Sequence, residues 1–260
     1  MLAVDYDEPG GPDVLKLTKI NIPDISKDEV LIKVKSAGVN RPDIIQREGN
    51  YPAPPGHSKT LGLEVSGIIE KVGTNVKKFL VGDKVAALVN GGGYAEFCKA
   101  NESLVFHIPK NITFNEAACI PECFFTAWSN IVMRGEIKKN QKILIHGGTS
   151  GVGIASIQIA KLFDSYIITT VGNKEKVSFC KKLGVDKTIN YNESNFFEEI
   201  KNSQISSVDL VLDFIGGDYI NKNINLLNND GRLVNIGFQN GSKAEINLMK
   251  IMLKLSLIHI

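Results

Sequence analysis

The chain has 260 residues, 43% of them hydrophobic and 22% charged, the make-up of a globular protein with a substantial core and room for one large or two ordinary domains. Its net charge of only +2 points to no nucleic-acid or acidic-membrane partner, and no run of about eighteen apolar residues exists to span a bilayer. Asp5, Asp7 and Glu8 stand where a secretory signal carries basic residues, and the four cysteines lie scattered among apolar neighbours as reduced thiols do, so the expected compartment is the cytoplasm.

Short strand-like runs punctuated by Gly and Pro come first: LAVDY from Leu2, VLIKVKSAG from Val30, LEVSGIIEKVG from Leu63, GDKVAALV from Gly82 and YAEFCKA from Tyr94. They predict an antiparallel or mixed β domain over residues 1–122, interrupted by a helical piece from Pro42 to Glu48. The segment CIPECFFTAWSNIVMR, Cys119 to Arg134, predicts a helix that crosses into a second domain, residues 123–260. There the pattern alternates strands at 143–146, 166–171, 187–190, 208–214 and 231–236 with helices at 151–163, 174–183, 195–202 and 217–227. Such alternation predicts an α/β fold, a doubly wound parallel sheet whose ligands lie beyond the carboxyl ends of the strands. The last residues, Leu248 to Ile260, form an apolar, helix-like run without a capping signal or polar tail, so the expectation is a chain truncated at its C-terminus.

Between the first of these strands and its helix, HGGTSGVG packs Gly147, Gly148, Gly151 and Gly153 into one turn. Without Cβ atoms there, the chain can turn tightly, the helix can pack close to the strand, and a bulky anion can touch the backbone. The unpaired N–H groups at the start of the helix favour negative charge, and Ser150 adds a hydroxyl. A glycine-rich surface turn is the plainer alternative, but a strand before and a helix and second strand after give the context of a dinucleotide fingerprint. The second strand ends in TTVGNKEK, with no acid to take ribose hydroxyls. Gly172 and Asn173 leave space, Lys174 and Lys176 bring positive charge and Tyr191 can stack nearby, so NADPH is favoured over NADH. Lys176 is the stronger candidate of the two lysines, although both also fit a solvated helix face.

The motifs GVNRPD, LGLEVSG, VGDKV, IPECFFTAW and HGGTSGVG, in this order, resemble the medium-chain dehydrogenase/reductase superfamily and, within it, the zeta-crystallin-like quinone oxidoreductases. The segments MLAVDYDEPGGPDVL, NRPDIIQREGNYPAPPG and LDFIGGDYINKN are most similar to the tumour-suppressor-inducible NADPH quinone oxidoreductase branch. The resemblance implies a GroES-like catalytic domain followed by a Rossmann NADP-binding domain, incomplete at its C-terminal end. Zinc enzymes of the superfamily take metal on a cysteine and a histidine at positions that read Asn40 and Leu63 here, and neither side chain supplies that ligand, so no metal is expected. Quinones and conjugated enones accept hydride with less Lewis-acid help, and the catalyst then mainly aligns acceptor and cofactor.

By the same resemblance, Asn40 is expected to orient the cofactor, Asp43 to brace its loop, and Tyr51 to line the acceptor pocket and donate a hydrogen bond to a quinone oxygen. Thr126 is expected near the nicotinamide and Ser150, Gly151 and Val152 at the pyrophosphate, while Gly216, Gly237 and Phe238 follow strands whose ends approach the nicotinamide. Asn40 and Asp43 could instead cap the helix near Pro42, and Tyr51 could be loop packing. Glu64 is expected to make a structural bond, and His57, His107 and His146 to be structural. The implied activity is zinc-independent NADPH:quinone oxidoreduction, with the full-length form expected to be a homodimer or homotetramer. The alternatives are an NADPH-dependent enone or enoyl reductase and a non-catalytic nucleotide-binding or RNA-binding protein.

Overall fold

Alternation decides the first half of the chain. In the computed structural model, which describes residues 1–260, Val30 and Ile32, Val65 and Ile69, Val85 and Ala87, and Cys98 and Ala100 all turn to one face and bury a single core with Phe79, Val89 and Val105. They lie on β3 (Glu29–Ala37), β4 (Glu64–Val72), β5 (Lys84–Leu88), β6 (Phe97–Asn101) and β7 (Val105–His107), which pair in the order β6-β3-β4-β5-β7. Every pairing is antiparallel. A separate hairpin joins β1 (Leu2–Asp5) to β2 (Lys16–Lys19), and α1 (Arg41–Arg47) and α2 (Phe114–Ala117) are the helices of this unit, Met1–Glu122. The helix expected from Pro42 starts one residue earlier, with Pro42 in its first turn, where a missing N–H costs nothing.

The second unit, Cys123–Ile260, is a six-stranded sheet in which every pairing is parallel. Its strands β8 (Lys142–Ile145), β9 (Tyr166–Val171), β10 (Lys187–Asn190), β11 (Val208–Asp213), β12 (Leu227–Asn235) and β13 (Leu257–His259) stand in the order β10-β9-β8-β11-β12-β13. The order reverses at β8 and β11, which creates the crevice of a doubly wound sheet. Ile143 and Ile145 face one core while Leu144 faces another, as expected of a strand buried on both sides. The connecting helices are α4 (Gly151–Leu162), α5 (Lys174–Lys182), α6 (Phe196–Lys201), α7 (Tyr219–Leu226) and α8 (Leu248–Lys254).

Three expectations change. The helix read through Arg134 is α-helical only as α3 (Pro121–Trp128), within which the boundary between the units falls, and continues as a wider π-helical turn, Ser129–Arg134. The strand expected at 231–236 begins at Leu227, and its register on β11 shifts between Val208 and Leu210. The apolar tail is not one helix: Leu255 takes a left-handed conformation that ends α8, and Leu257–His259 then pairs with Arg232–Val234 as the edge strand.

Candidate active site

β8 ends at Ile145, and the chain turns through His146–Ser150 into α4. Gly147 takes φ +64°, a conformation that side chains resist. A Cβ on Gly148 would run into Thr169 Oγ1, and one on Gly151 would lie 2.6 Å from Cys123 Sγ. The glycines therefore let the turn and the start of α4 lie directly against β9 and α3. Ser150 caps α4, its Oγ accepting from the Gly153 N–H at 3.0 Å and donating to the Gly147 carbonyl at 2.8 Å. The N–H groups of Gly151 and Val152 donate to no protein acceptor, and with the helix dipole they form a seat for an anion.

The next strand end carries the second part of the site. β9 ends at Val171, and a Cβ on Gly172 would meet the Tyr191 hydroxyl at 2.5 Å, so the phenol lies directly over the glycine backbone. Asn173 caps α5 by accepting the Lys176 N–H at 2.8 Å. Lys174 stands 3.7 Å from Glu193, whereas Lys176 is exposed and paired with no carboxylate. An exposed lysine without a carboxylate partner in the first turn of α5, with no acid at the strand end, suits a ribose phosphate better than ribose hydroxyls.

Beyond β11 and β12, Gly216, Gly237 and Phe238 come together around Phe214. A Cβ on Gly216 would lie 3.2 Å from the Phe238 ring, and one on Gly237 would lie 2.9 Å from the Phe214 carbonyl. Thr126 sits on α3, where its carbonyl accepts from the Asn130 side-chain amide at 2.8 Å. The parallel sheet thus brings Gly148, Ser150, Gly151, Val152, Gly153, Gly172, Asn173, Tyr191, Gly216, Gly237 and Phe238 to the carboxyl ends of its strands, with Lys176 in the first turn of α5.

In the first unit, Asp43 is only 3% exposed and accepts three bonds, from the Asn40 N–H at 2.8 Å, the Gly62 N–H at 3.0 Å and the Tyr94 hydroxyl at 3.0 Å. It therefore ties the start of α1 to two later loops. The Asn40 side-chain amide donates to Glu64 Oε1 at 2.8 Å, and Glu64 Oε2 accepts the Glu122 N–H at 2.9 Å. Burial pushes both carboxyls above their ordinary values, against the opposing pull of these donors, and for Glu64 the nearby Asp43 adds to the rise. Burial, then Asp43, raises the Tyr94 phenol as well. Tyr51 lies on the loop between α1 and β4, 48% exposed, and takes no part in these bonds. Nothing in the sequence signalled Tyr94, which reaches Asp43 across 51 positions. Cys123 beneath Gly151 was likewise not anticipated. No three His, Cys, Asp or Glu side chains converge as a metal site would require.

Comparison with known proteins accords with this geometry. The alcohol dehydrogenase GroES-like domain family matches residues 26–110 and the zinc-binding dehydrogenase family matches residues 151–258. Quinone oxidoreductase of Homo sapiens is 33% identical over 257 residues, covering 98% of this chain and 78% of the relative. The crystal structure of Escherichia coli quinone oxidoreductase complexed with NADPH superposes with a TM-score of 0.86 at 29% identity, over 99% of this chain and 80% of that one. CurK enoyl reductase superposes with a TM-score of 0.88, also at 29% identity, over 99% and 80% of the two chains. The chain belongs to the quinone oxidoreductases of the medium-chain dehydrogenase/reductase superfamily.

Proposed function

We propose that this chain is an NADPH:quinone oxidoreductase that works without zinc, with residues 1–122 receiving the acceptor and residues 123–260 holding the cofactor. The observation that carries the reading is the turn after β8, where two N–H groups without protein acceptors stand at the carboxyl edge of a parallel sheet. The absence of an acid at the end of β9 and the unpaired Lys176 support NADPH over NADH. The E. coli relative solved with NADPH supports the same choice.

Bound NADPH supplies the hydride. The chain's own groups then have separate tasks. Gly151 and Val152 hold the pyrophosphate, assisted by the space at Gly148 and Gly153 and the hydroxyl of Ser150. Gly172, Asn173, Lys176 and Tyr191 take the phosphorylated ribose. Thr126, Gly216, Gly237 and Phe238 border the nicotinamide, with Asn40 orienting it and Asp43 bracing the loop that carries Asn40. Tyr51 donates a hydrogen bond to the acceptor oxygen. Asn40 and Leu63 offer neither thiolate nor imidazole, so polarisation of the acceptor falls to hydrogen bonds rather than a metal. A cytoplasmic homodimer or homotetramer completes the reading. None of the four cysteines forms a disulfide, no helix is long and apolar enough to cross a membrane, and α8, which precedes the edge strand β13, exposes Leu248, Met249, Met252 and Leu253.

A second reading, reduction of conjugated enones or enoyl thioesters, is favoured by the likeness to CurK enoyl reductase. Both are tested by following NADPH oxidation by chelator-treated protein with an ortho-quinone and, separately, with a crotonyl thioester. Faster turnover of the quinone is expected. Faster turnover of the thioester would shift the assignment, and absence of NADPH binding would remove it.

A further inference from the structure

His146 follows β8 directly and is completely buried, yet none of the tasks above uses it. Its neighbours fix its chemistry. Asp213 ends β11 with Oδ1 accepting the Ile215 N–H at 2.7 Å and the Gly216 N–H at 3.2 Å. Its Oδ2 faces Asn223 Nδ2 at 3.1 Å, so the Asn223 amide must turn its oxygen the other way, and that oxygen lies 2.9 Å from His146 Nε2. Nε2 therefore carries the hydrogen. Burial holds the ring below its ordinary pKa, against the pull of Asp213 and Asn223, so the ring is neutral and Nδ1 accepts from the Thr170 hydroxyl at 3.0 Å. The Gly147 N–H approaches that hydroxyl oxygen at 3.4 Å. Phe196 and Tyr219 pack edge-on against the imidazole with ring centroids 4.9 and 5.0 Å away, leaving Asp213 and Tyr219 as the titratable groups that face it.

These bonds run in one direction from the glycine turn as far as the Asp213 carboxylate, which also accepts from the turn after β11. The two turns flank the reversal of strand order, and the backbone ladder between β8 and β11 extends no further than the bond from the His146 N–H to the Leu212 carbonyl. Past that point, side chains make the connection. We propose that His146 and Asn223 are positioning residues, holding the Gly147–Gly153 turn and the Asp213–Gly217 turn at the separation that the dinucleotide needs. The inference rests on the cofactor reading above.

The test uses Asn223→Leu, which removes both bonds, and Asn223→Asp, which sets two carboxylates face to face. A double variant, Asp213→Asn with Asn223→Asp, restores them by exchanging the two groups. The amide now at position 213 donates to the carboxylate now at position 223, its oxygen keeps the Ile215 and Gly216 N–H groups, and that carboxylate accepts from His146. Each single variant is expected to raise the KM for NADPH by about tenfold or more, since the loss of even one buried hydrogen bond has about that effect, with kcat at saturating NADPH little changed. The double variant is expected to recover most of the loss. In the protein without cofactor, exchange of the hydrogen-bonded amides of the two turns, Gly147, Gly148 and Gly153 in one and Ile215 and Gly216 in the other, should accelerate together in the single variants and return in the double. Folded single variants with unchanged KM and unchanged exchange would overturn the inference. Failure of the parent chain to bind NADPH would instead remove the cofactor reading, and the exchange measurement would still decide whether the relay holds the turns.

Discussion

Lys176 is the side chain on which the choice of cofactor turns. Its neighbour Lys174 already has a carboxylate 3.7 Å away, while Lys176, exposed in the first turn of α5, pairs with none. Loss of a charged hydrogen bond costs about 1.5–3 kcal/mol, so Lys176→Glu is expected to raise the KM for NADPH by roughly tenfold to a hundredfold and to leave that for NADH nearly unchanged. Equal effects on the two cofactors would defeat the assignment. Glu64 makes a second prediction. Its carboxyl is raised from an ordinary value of 4.5, chiefly by burial, so the folded chain holds the proton more tightly than the unfolded chain does. That contribution is fully present below pH 4.5 and is lost as the pH rises through the folded value. Glu64→Gln should therefore flatten the fall in unfolding free energy over that window, leaving the smaller slope due to Asp43, as read by urea titrations at a series of pH values. Identical slopes in the two proteins would show that Glu64 does not carry the effect. The resemblance singled out Asn40 and Asp43, and separately Glu64 as a structural bond, but the sequence could not join the three, orient an amide or find Tyr94, since a hydrogen bond between distant segments leaves no local pattern.

Elements were legible where period and capping agreed. The change from a continuous apolar run in β8 to three- and four-residue steps in α4 marks a strand and a helix, and the glycines between them can only be a turn. Ser150 then sets the helix start. Ser150→Ala removes the bond to the Gly153 N–H, and a cost of about 1 kcal/mol is expected in urea unfolding of the second unit, with weaker NADPH binding beside it. A stability loss with no change in NADPH affinity would confine Ser150 to its cap. β2 escaped the sequence reading because it buries no side chain and so shows no apolar face, and β7 because it is only three residues long. The tail misled for a different reason. Leucine, isoleucine and methionine fit a buried helix and a sheet edge alike, and the break between α8 and β13 depends on Leu255 entering a left-handed conformation without the usual glycine.

Taken whole, the chain builds three apolar interiors, one in the first unit and two in the second. Val30, Ile32, Val65 and Val85 close one, while Ile143, Ile145 and Leu212 on one face of the parallel sheet and Leu144, Ile168 and Val211 on the other close the rest. The switch from period two to alternating strands and helices near residue 120 made this division readable, because each architecture needs its own apolar pattern. The pairing partners of the last strand were not readable, since they follow from tertiary context alone. Separate cores also mean that a ligand held by one unit stabilises that unit first. At a hundred times its Kd, a ligand that binds only the folded form adds about 2.7 kcal/mol. NADPH should therefore slow exchange of the most protected amides in β8 and β9 by about a hundredfold, with those of β3 and β4 little changed where the units open separately. Equal slowing in both units would mean that they open as one, and slowing confined to β3 and β4 would place the cofactor on the wrong domain.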